Sequence, residues 1–387
     1  MLEMDFKLHN REVKEVWDAY HAGKPIRVPV VLGLNVRYYL FTPWLNPRQI
    51  TFKEYSENPE LMLETQLEFQ YYVRHNLLFD AEMGMPTEAW PAVYVDLQNT
   101  YEASWFGCPV RYYDGQVPDT EPILTNDRKR MLFDKGVPDP FKDGSMEKNL
   151  RFYEILKEKI KNFTFMGLPV SDVIPSGLGT DGPFTAAASL RGATEICMDI
   201  YEDPQYVHEL LDFITEATII RIKAWRKMLG YEIKPRCWGI ADDSIQLISC
   251  EAYREFVLPR HKRLFEELAG AGPHSIHLCG DATRHFKIIR DELNVMTFDT
   301  GFPVDFGSLR QELGPDVQIN GGPSVQFLLR ATPAEVREEV RRILSTGIMN
   351  GGRFVLREGN NLAPGTPVEN VNAMYLAARE FGKYDNW

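Results

Sequence analysis

Three short stretches carry the residues best suited to chemistry. The first is HSIHLCGD, His274 to Asp281, with His277 and Cys279 two apart in an apolar run that ends at a glycine. In an extended strand, residues i and i+2 project from one face, so imidazole and thiol point the same way. Imidazole nitrogen and thiolate are ordinary zinc ligands, and a catalytic zinc takes three ligands from the protein. The same pair also fits a hydrogen-bonded core histidine beside an inert buried cysteine. The second stretch is GIADDSIQLIS, Gly239 to Ser249, where Asp242 and Asp243 close a strand. Two adjacent carboxylates there can hold a metal, take a proton or orient a substrate, and Asp is equally at home as a helix cap. The third is REGNNLAPGTPVEN, Arg357 to Asn370, with Glu358 as its strong oxygen ligand and Asn360 and Asn361 beside it in a Gly/Asn/Pro loop.

These stretches need a frame to bring them together. Eight apolar runs read as strands, at 29–34, 79–84, 172–177, 236–242, 275–279, 295–299, 317–320 and 353–357, and helical patterns of period 3.6 lie between most of them. Strand–helix alternation predicts parallel βαβ units. Eight repeats predict an α/β fold of the (β/α)8 TIM-barrel type, with active residues at the C-terminal ends of the strands. No GxGxxG follows a strand, which removes the dinucleotide fingerprint. ATPAEV (331–336) and GTPVEN (365–370) each place Thr, Pro and then Glu three after the Thr, predicting two capping boxes. Residues 1–387 are expected to form one barrel domain with an N-terminal extension. Residues 85–165 are expected as a loop region over the mouth, with one helix near 145–163. Aromatics gather in such loops, among them Tyr38, Trp44, Trp90, Tyr94 and Trp105, and make an aromatic-lined pocket with Trp90, Tyr94 and Asn360 as substrate contacts the expectation. GLGTDGPFTAAASLRG, 177–192, offers glycines for close backbone approach or simply a small-residue helix start.

Composition narrows the partners. Of 387 residues, 44% are hydrophobic and 25% charged, and net charge is −12 with no basic block. That removes the electrostatic footprint for nucleic acid or anionic lipid. No apolar run reaches the ~20 residues of a membrane helix, and MLEMDFKLHNREVKEVW lacks a signal-peptide core, so a cytoplasmic location is expected. Five scattered cysteines with no CxxC argue against a disulfide framework.

Six segments, in order, resemble the uroporphyrinogen decarboxylase superfamily: GPFTAAASLRG, YEDPQYVHELLDFITEA, DDSIQLISCEAYREFVLPRHKRLFEEL, HSIHLCGD, VQINGGPSVQFLLRATPAEVREEVRRIL and GNNLAPGTPVENVNAM. The resemblance covers about 165–385 and implies a (β/α)8 barrel with one of two activities. One is tetrapyrrole decarboxylation. The other is methyl transfer to or from a corrinoid, by zinc enzymes with a His-x-Cys pair and a later Cys. The decarboxylases' RQAGR stretch corresponds here to NVRYYLFTPWLNPRQ, which keeps Arg37 and Arg48 without the paired arrangement. Their tyrosine after PFT falls at Ser189, the serine after their strand-end Asp at Asp243, and the histidine of their late GHG at Asn360. An eight-carboxylate substrate needs cationic clamps, so the methyltransferase branch fits better. His277 and Cys279 supply its pair, and its third cysteine falls at Asn360. Zinc is then expected on His277 and Cys279, with Glu358, Asp242 or Asp243 completing the set, and Asp242 and Asp243 as catalytic carboxylates. A set with fewer sulfurs suits an oxygen leaving group. The resemblance therefore implies the substrate-side methyltransferase of a corrinoid system, with O-demethylation of a methoxylated aromatic, its small-molecule methyl donor, as the expected reaction. Its partner would be a corrinoid protein, and a homodimer is the default assembly. A rearranged decarboxylase and a non-catalytic corrinoid- or ligand-binding protein are the alternatives.

Overall fold

Parallel strands at Gly239–Ala241, His274–Leu278, Val295–Thr300, Gln318–Gly321 and Phe354–Leu356 pair side by side in chain order. They belong to a computed structural model that describes residues 5–384; positions 1–4 and 385–387, the ends of the expected domain, lie outside the described residues. The pairing continues beyond both edges. Val30 forms a parallel bridge with Leu356, and the Asp80 N–H donates to Val30 O. On the other side the Ala241 N–H reaches Thr180 O, and Val173–Ile174 pairs in parallel with Val93–Tyr94. With helices between the strands, this is a (β/α)8 barrel.

The strand reading needs three corrections. At 29–34 only the isolated bridge at Val30 forms, with no regular strand. At 79–84 no regular strand forms, because the Asp80 side chain takes over the ladder's work: its Oδ2 accepts the Val30 N–H at 2.7 Å, and both its oxygens bind Arg27. Val93–Tyr94 was not among the expected strands. Its free edge is covered by a side chain, as the Gln66 amide donates to Tyr94 O and accepts from Tyr94 N, both at 2.8 Å. An amide so placed satisfies edge groups that would otherwise need another strand.

The long helix Pro204–Leu229 starts at Asp203, whose side chain accepts the Tyr206 N–H, and stops at Gly230, where φ is +71°. Left-handed backbone there suits glycine. The box at Thr332–Glu335 forms as expected and opens the helix Pro333–Ile343. Thr332→Ala should lower stability by about 1 kcal/mol, read from denaturant unfolding. The second box does not form. The helix Val368–Phe381 begins at Pro367 without a side-chain cap. The Thr366 hydroxyl instead donates to Ala363 O, tying down the preceding loop.

Residues 85–165 carry more than the one expected helix. Ser145–Lys159 is helical, joined by the short helix Tyr101–Trp105 and two-residue hairpins at 110–120 and 164–169. One buried charge from this region sits beneath the barrel end. Glu102 pairs with Arg221 at 2.7 Å and accepts from Thr180 Oγ1 and the Asp181 N–H, so the loop after Val173–Ile174 rests on a fixed anion.

Candidate metal centre at the barrel mouth

Strand register brings the first two polar groups together. His277 is the ladder partner of Ala241 on one side and of Asp299 on the other. Paired residues on adjacent strands project to the same face, so imidazole and carboxylate lie side by side. His277 Nδ1 meets Asp299 Oδ2 at 2.6 Å, which turns Nε2 toward Cys279 Sγ at 3.0 Å. Asp243 enters from the turn after Ala241, where its Oδ1 accepts the Cys279 N–H at 2.7 Å. One donor atom from each of Asp243, His277 and Cys279 lies within 4.8 Å of the others, and among the described residues no other such group of His, Cys, Asp or Glu occurs.

The two adjacent aspartates part ways. Asp242 is fully buried. Its oxygens accept the N–H groups of Phe184 (3.1 Å) and Thr185 (2.8 Å), the Thr185 hydroxyl and a contact from His261 Nε2 at 3.0 Å. It therefore caps the helix Pro183–Arg191, a structural position rather than the open catalytic one expected of it. Gly182 has φ +92°, and its backbone lies directly against Asp242 and Ala241, leaving no room for a side chain. Asp243, one residue on, is half-buried and points at Cys279.

Glu358 does not join the cluster. It is fully buried, its Oε1 accepting the Gly33 N–H at 2.5 Å and its Oε2 without a hydrogen-bond partner. Burial pushes its pKa up to about 8, against the pull of Arg357 and the Gly33 N–H. Asn360 is half-buried, and its carbonyl faces Arg357 Nη2 at 3.4 Å. Trp90 is buried in the fold, its Nε1–H donated to Phe165 O at 2.8 Å. Tyr94 is 53% exposed and lines a cavity of about 560 Å³ with Leu34, Phe69, Phe79 and Asp96. Burial lowers the pKa of Arg37, partly offset by the neighbouring Asp96 of the cavity wall.

Asp299, the carboxylate beside His277, is not among the candidates that the sequence pattern offers. It stood in the VMTFD strand, and the one available signal was a carboxylate breaking an otherwise apolar and hydroxylated run.

The donor set fits zinc. A nitrogen, a sulfur and an oxygen converge, which suits a borderline-soft cation. A carboxylate on the far nitrogen of a ligating histidine is the usual outer support of such a site. Burial works against the charged form of His277, but its bonds to Asp299 and Cys279 outweigh that and hold its pKa at about 10. Burial likewise pushes the Cys279 thiol up, opposed by His277. The pair thus holds protons at neutral pH that a metal ion displaces on binding.

Comparison with known proteins adds the wider context. The family model described as uroporphyrinogen decarboxylase (URO-D) matches residues 14–381. A methylated-thiol–coenzyme M methyltransferase of Methanosarcina mazei is 30% identical over 53% of this chain and 53% of its own length. The match thus spans about half of that relative. The methylcobamide:CoM methyltransferase MtbA of Methanosarcina acetivorans is 24% identical over 78% of this chain and 83% of its own. A uroporphyrinogen decarboxylase of Anaeromyxobacter dehalogenans is 25% identical over 55% and 60%. A solved structure titled as a methyltransferase from Methanosarcina mazei superposes with a TM-score of 0.65 at 22% identity, covering 95% of this chain and 98% of that one, which shows the shared fold.

Proposed function

The chain belongs to the uroporphyrinogen decarboxylase family, and from that premise we propose that it is the substrate-side methyltransferase of a corrinoid-dependent system. The observation that carries the reading is the convergence of Asp243, His277 and Cys279. The methyl donor is a small molecule, and the reading extends to O-demethylation of a methoxylated aromatic. The acceptor is a corrinoid presented by a partner protein.

Asp243, His277 and Cys279 would hold zinc, which would supply Lewis acidity toward the heteroatom that loses its methyl group. The chain's own residues do the rest. Asp299 fixes the ring of His277, and the Cys279 N–H steadies Asp243. The carboxylate in the donor set leaves a harder, less electron-rich centre than a second thiolate would, which favours an ether oxygen over a thiol. The cavity bounded by Phe69, Phe79 and Tyr94 offers aromatic walls and about 560 Å³, a volume within the range of small-molecule sites. Asp96 and Asn35 supply polar groups to orient a ring substituent.

Arg48 is committed at the surface to Glu64 and Glu68, so of the two arginines only Arg37 remains near the cluster, too little to clamp many carboxylates. No helix among the described residues is long and apolar enough to cross a membrane.

The test is incubation of purified protein with a reduced corrinoid carrier and, separately, methoxyarenes, methylamines and methyl thioethers. Methylcobalamin formation, followed by its absorbance, is expected from methoxyarenes first. No methylcobalamin from any donor would sink the reading, and loss of carboxyl groups from uroporphyrinogen would transfer the chain to the decarboxylase branch.

A further inference from the structure

We propose that Arg357 is a positioning residue for the metal centre: it clamps Asp299, so that His277 keeps Nε2 turned toward Cys279 and Asp243. The inference rests on the metal reading proposed above and concerns a residue outside the three donors.

Arg357 directly follows Leu356, the last residue of the strand Phe354–Leu356. Its Nη1 donates to Asp299 Oδ2, the same oxygen that faces His277 Nδ1. One carboxylate oxygen is therefore shared between a guanidinium and the imidazole. Both partners are largely withdrawn from solvent, with side-chain exposures of 16% and 17%. At such a site water does not readily replace a lost hydrogen bond.

The guanidinium is itself held. Nη2 reaches Asn360 O at 3.4 Å, and Nε is buried without a hydrogen-bond partner. Room for it exists because residue 33 is glycine: a Cβ there would lie 2.5 Å from Arg357 Nη2 and 2.5 Å from Asn360 O. The Gly33 N–H meanwhile holds the neighbouring Glu358. The strand-end segment 357–360 is thus pinned against 33 on one side and Asp299 on the other. A guanidinium stays charged at every working pH and binds carboxylates with fixed geometry, which a lysine does not reproduce. A carboxylate that orients a ligating histidine is worth about ten- to hundredfold in metal affinity, and its own partner inherits part of that effect.

The experiment is a double-mutant cycle on zinc affinity, measured by chelator competition, with Arg357→Met, Asp299→Asn and the double variant. Arg357→Met should weaken zinc by about tenfold, and Arg357→Lys should fall between it and the wild type. The double variant should bind no worse than Asp299→Asn alone, because Arg357 acts through Asp299. Unchanged affinity in Arg357→Met, or losses that multiply in the double variant, would overturn the proposal. If the wild type binds no zinc, the metal reading itself falls. Arg357 is then judged on metal-free protein by the ¹⁵N shifts of the His277 ring: displaced signals in Arg357→Met support the clamp, and unchanged signals refute it. Should Arg357→Met not fold, Arg357→Gln and Arg357→Lys carry the same two measurements.

Discussion

Asp243→Ala should lower zinc affinity by more than ~100-fold while leaving the fold intact, and Asp242→Ala should do the reverse. The first figure exceeds the ten- to hundredfold cost of outer-support changes, since here a donor itself is lost. Asp243 is half-buried, and its one hydrogen bond to backbone is the Cys279 N–H, so truncation leaves little unsatisfied in the core. Asp242 is different. Its removal strands the N–H groups of Phe184 and Thr185, the Thr185 hydroxyl and His261 Nε2 in a fully buried place. Each orphaned buried group costs about 1–3 kcal/mol, and losing an anion at a helix N-terminus adds to that. With four groups orphaned, a loss of at least ~4 kcal/mol is expected. Zinc titration and urea unfolding of both variants check the contrast. Equal zinc loss in the two, or a stable Asp242→Ala, would contradict it.

Stability of the zinc-free protein should carry a falling component between about pH 4.5 and pH 8 that Glu358→Gln removes. The ordinary carboxyl value is 4.5, and burial raises that of Glu358 to about 8. Below pH 4.5 the group is protonated in both folded and unfolded chains and contributes no slope. As pH rises past 4.5, the unfolded chain gives up its proton and the folded chain does not. Unfolding is then coupled to proton release, and stability falls until the folded group also ionises near pH 8. The full effect is on the order of 5 kcal/mol. Glutamine keeps an oxygen for the Gly33 N–H but cannot ionise. The stability of Glu358→Gln relative to wild type should therefore climb across the same window and level off above it. Urea unfolding of both proteins from pH 4 to pH 9 measures it; parallel curves would show that Glu358 ionises in the folded state as freely as in the unfolded one.

Much of the architecture was legible because it repeats along the chain. Alternating apolar strands and helices announce a barrel, and Thr332, Pro333 and Glu335 announce a helix start. Reading weakened where a side chain stood in for backbone. Asp80 and Gln66 satisfy ladder groups that periodicity assigns to strands, so 79–84 lost a strand and Val93–Tyr94 gained one. Thr366 carried a capping pattern but spent its hydroxyl on Ala363, a choice set by how the preceding loop packs. Aromatic type alone did not separate Trp90, sunk against Phe165, from Tyr94 at the cavity wall.

At the centre itself, the sequence determined that His277 and Cys279 lie together, because two residues apart at a strand's end is a local matter of backbone period. It also determined that no later cysteine stands at position 360 to join them. Which carboxylate oxygen converges with them was decided by tertiary structure alone. Asp242 and Asp243 are neighbours with the same chemistry, and only the turn after Ala241 sends one into the cap of a helix and the other to Cys279. Glu358 is held away by the backbone of Gly33, 325 positions earlier in the chain. Asp299 reaches His277 because two strands meet in one register. Such pairings arise between segments far apart in sequence, and no local pattern of residues encodes them.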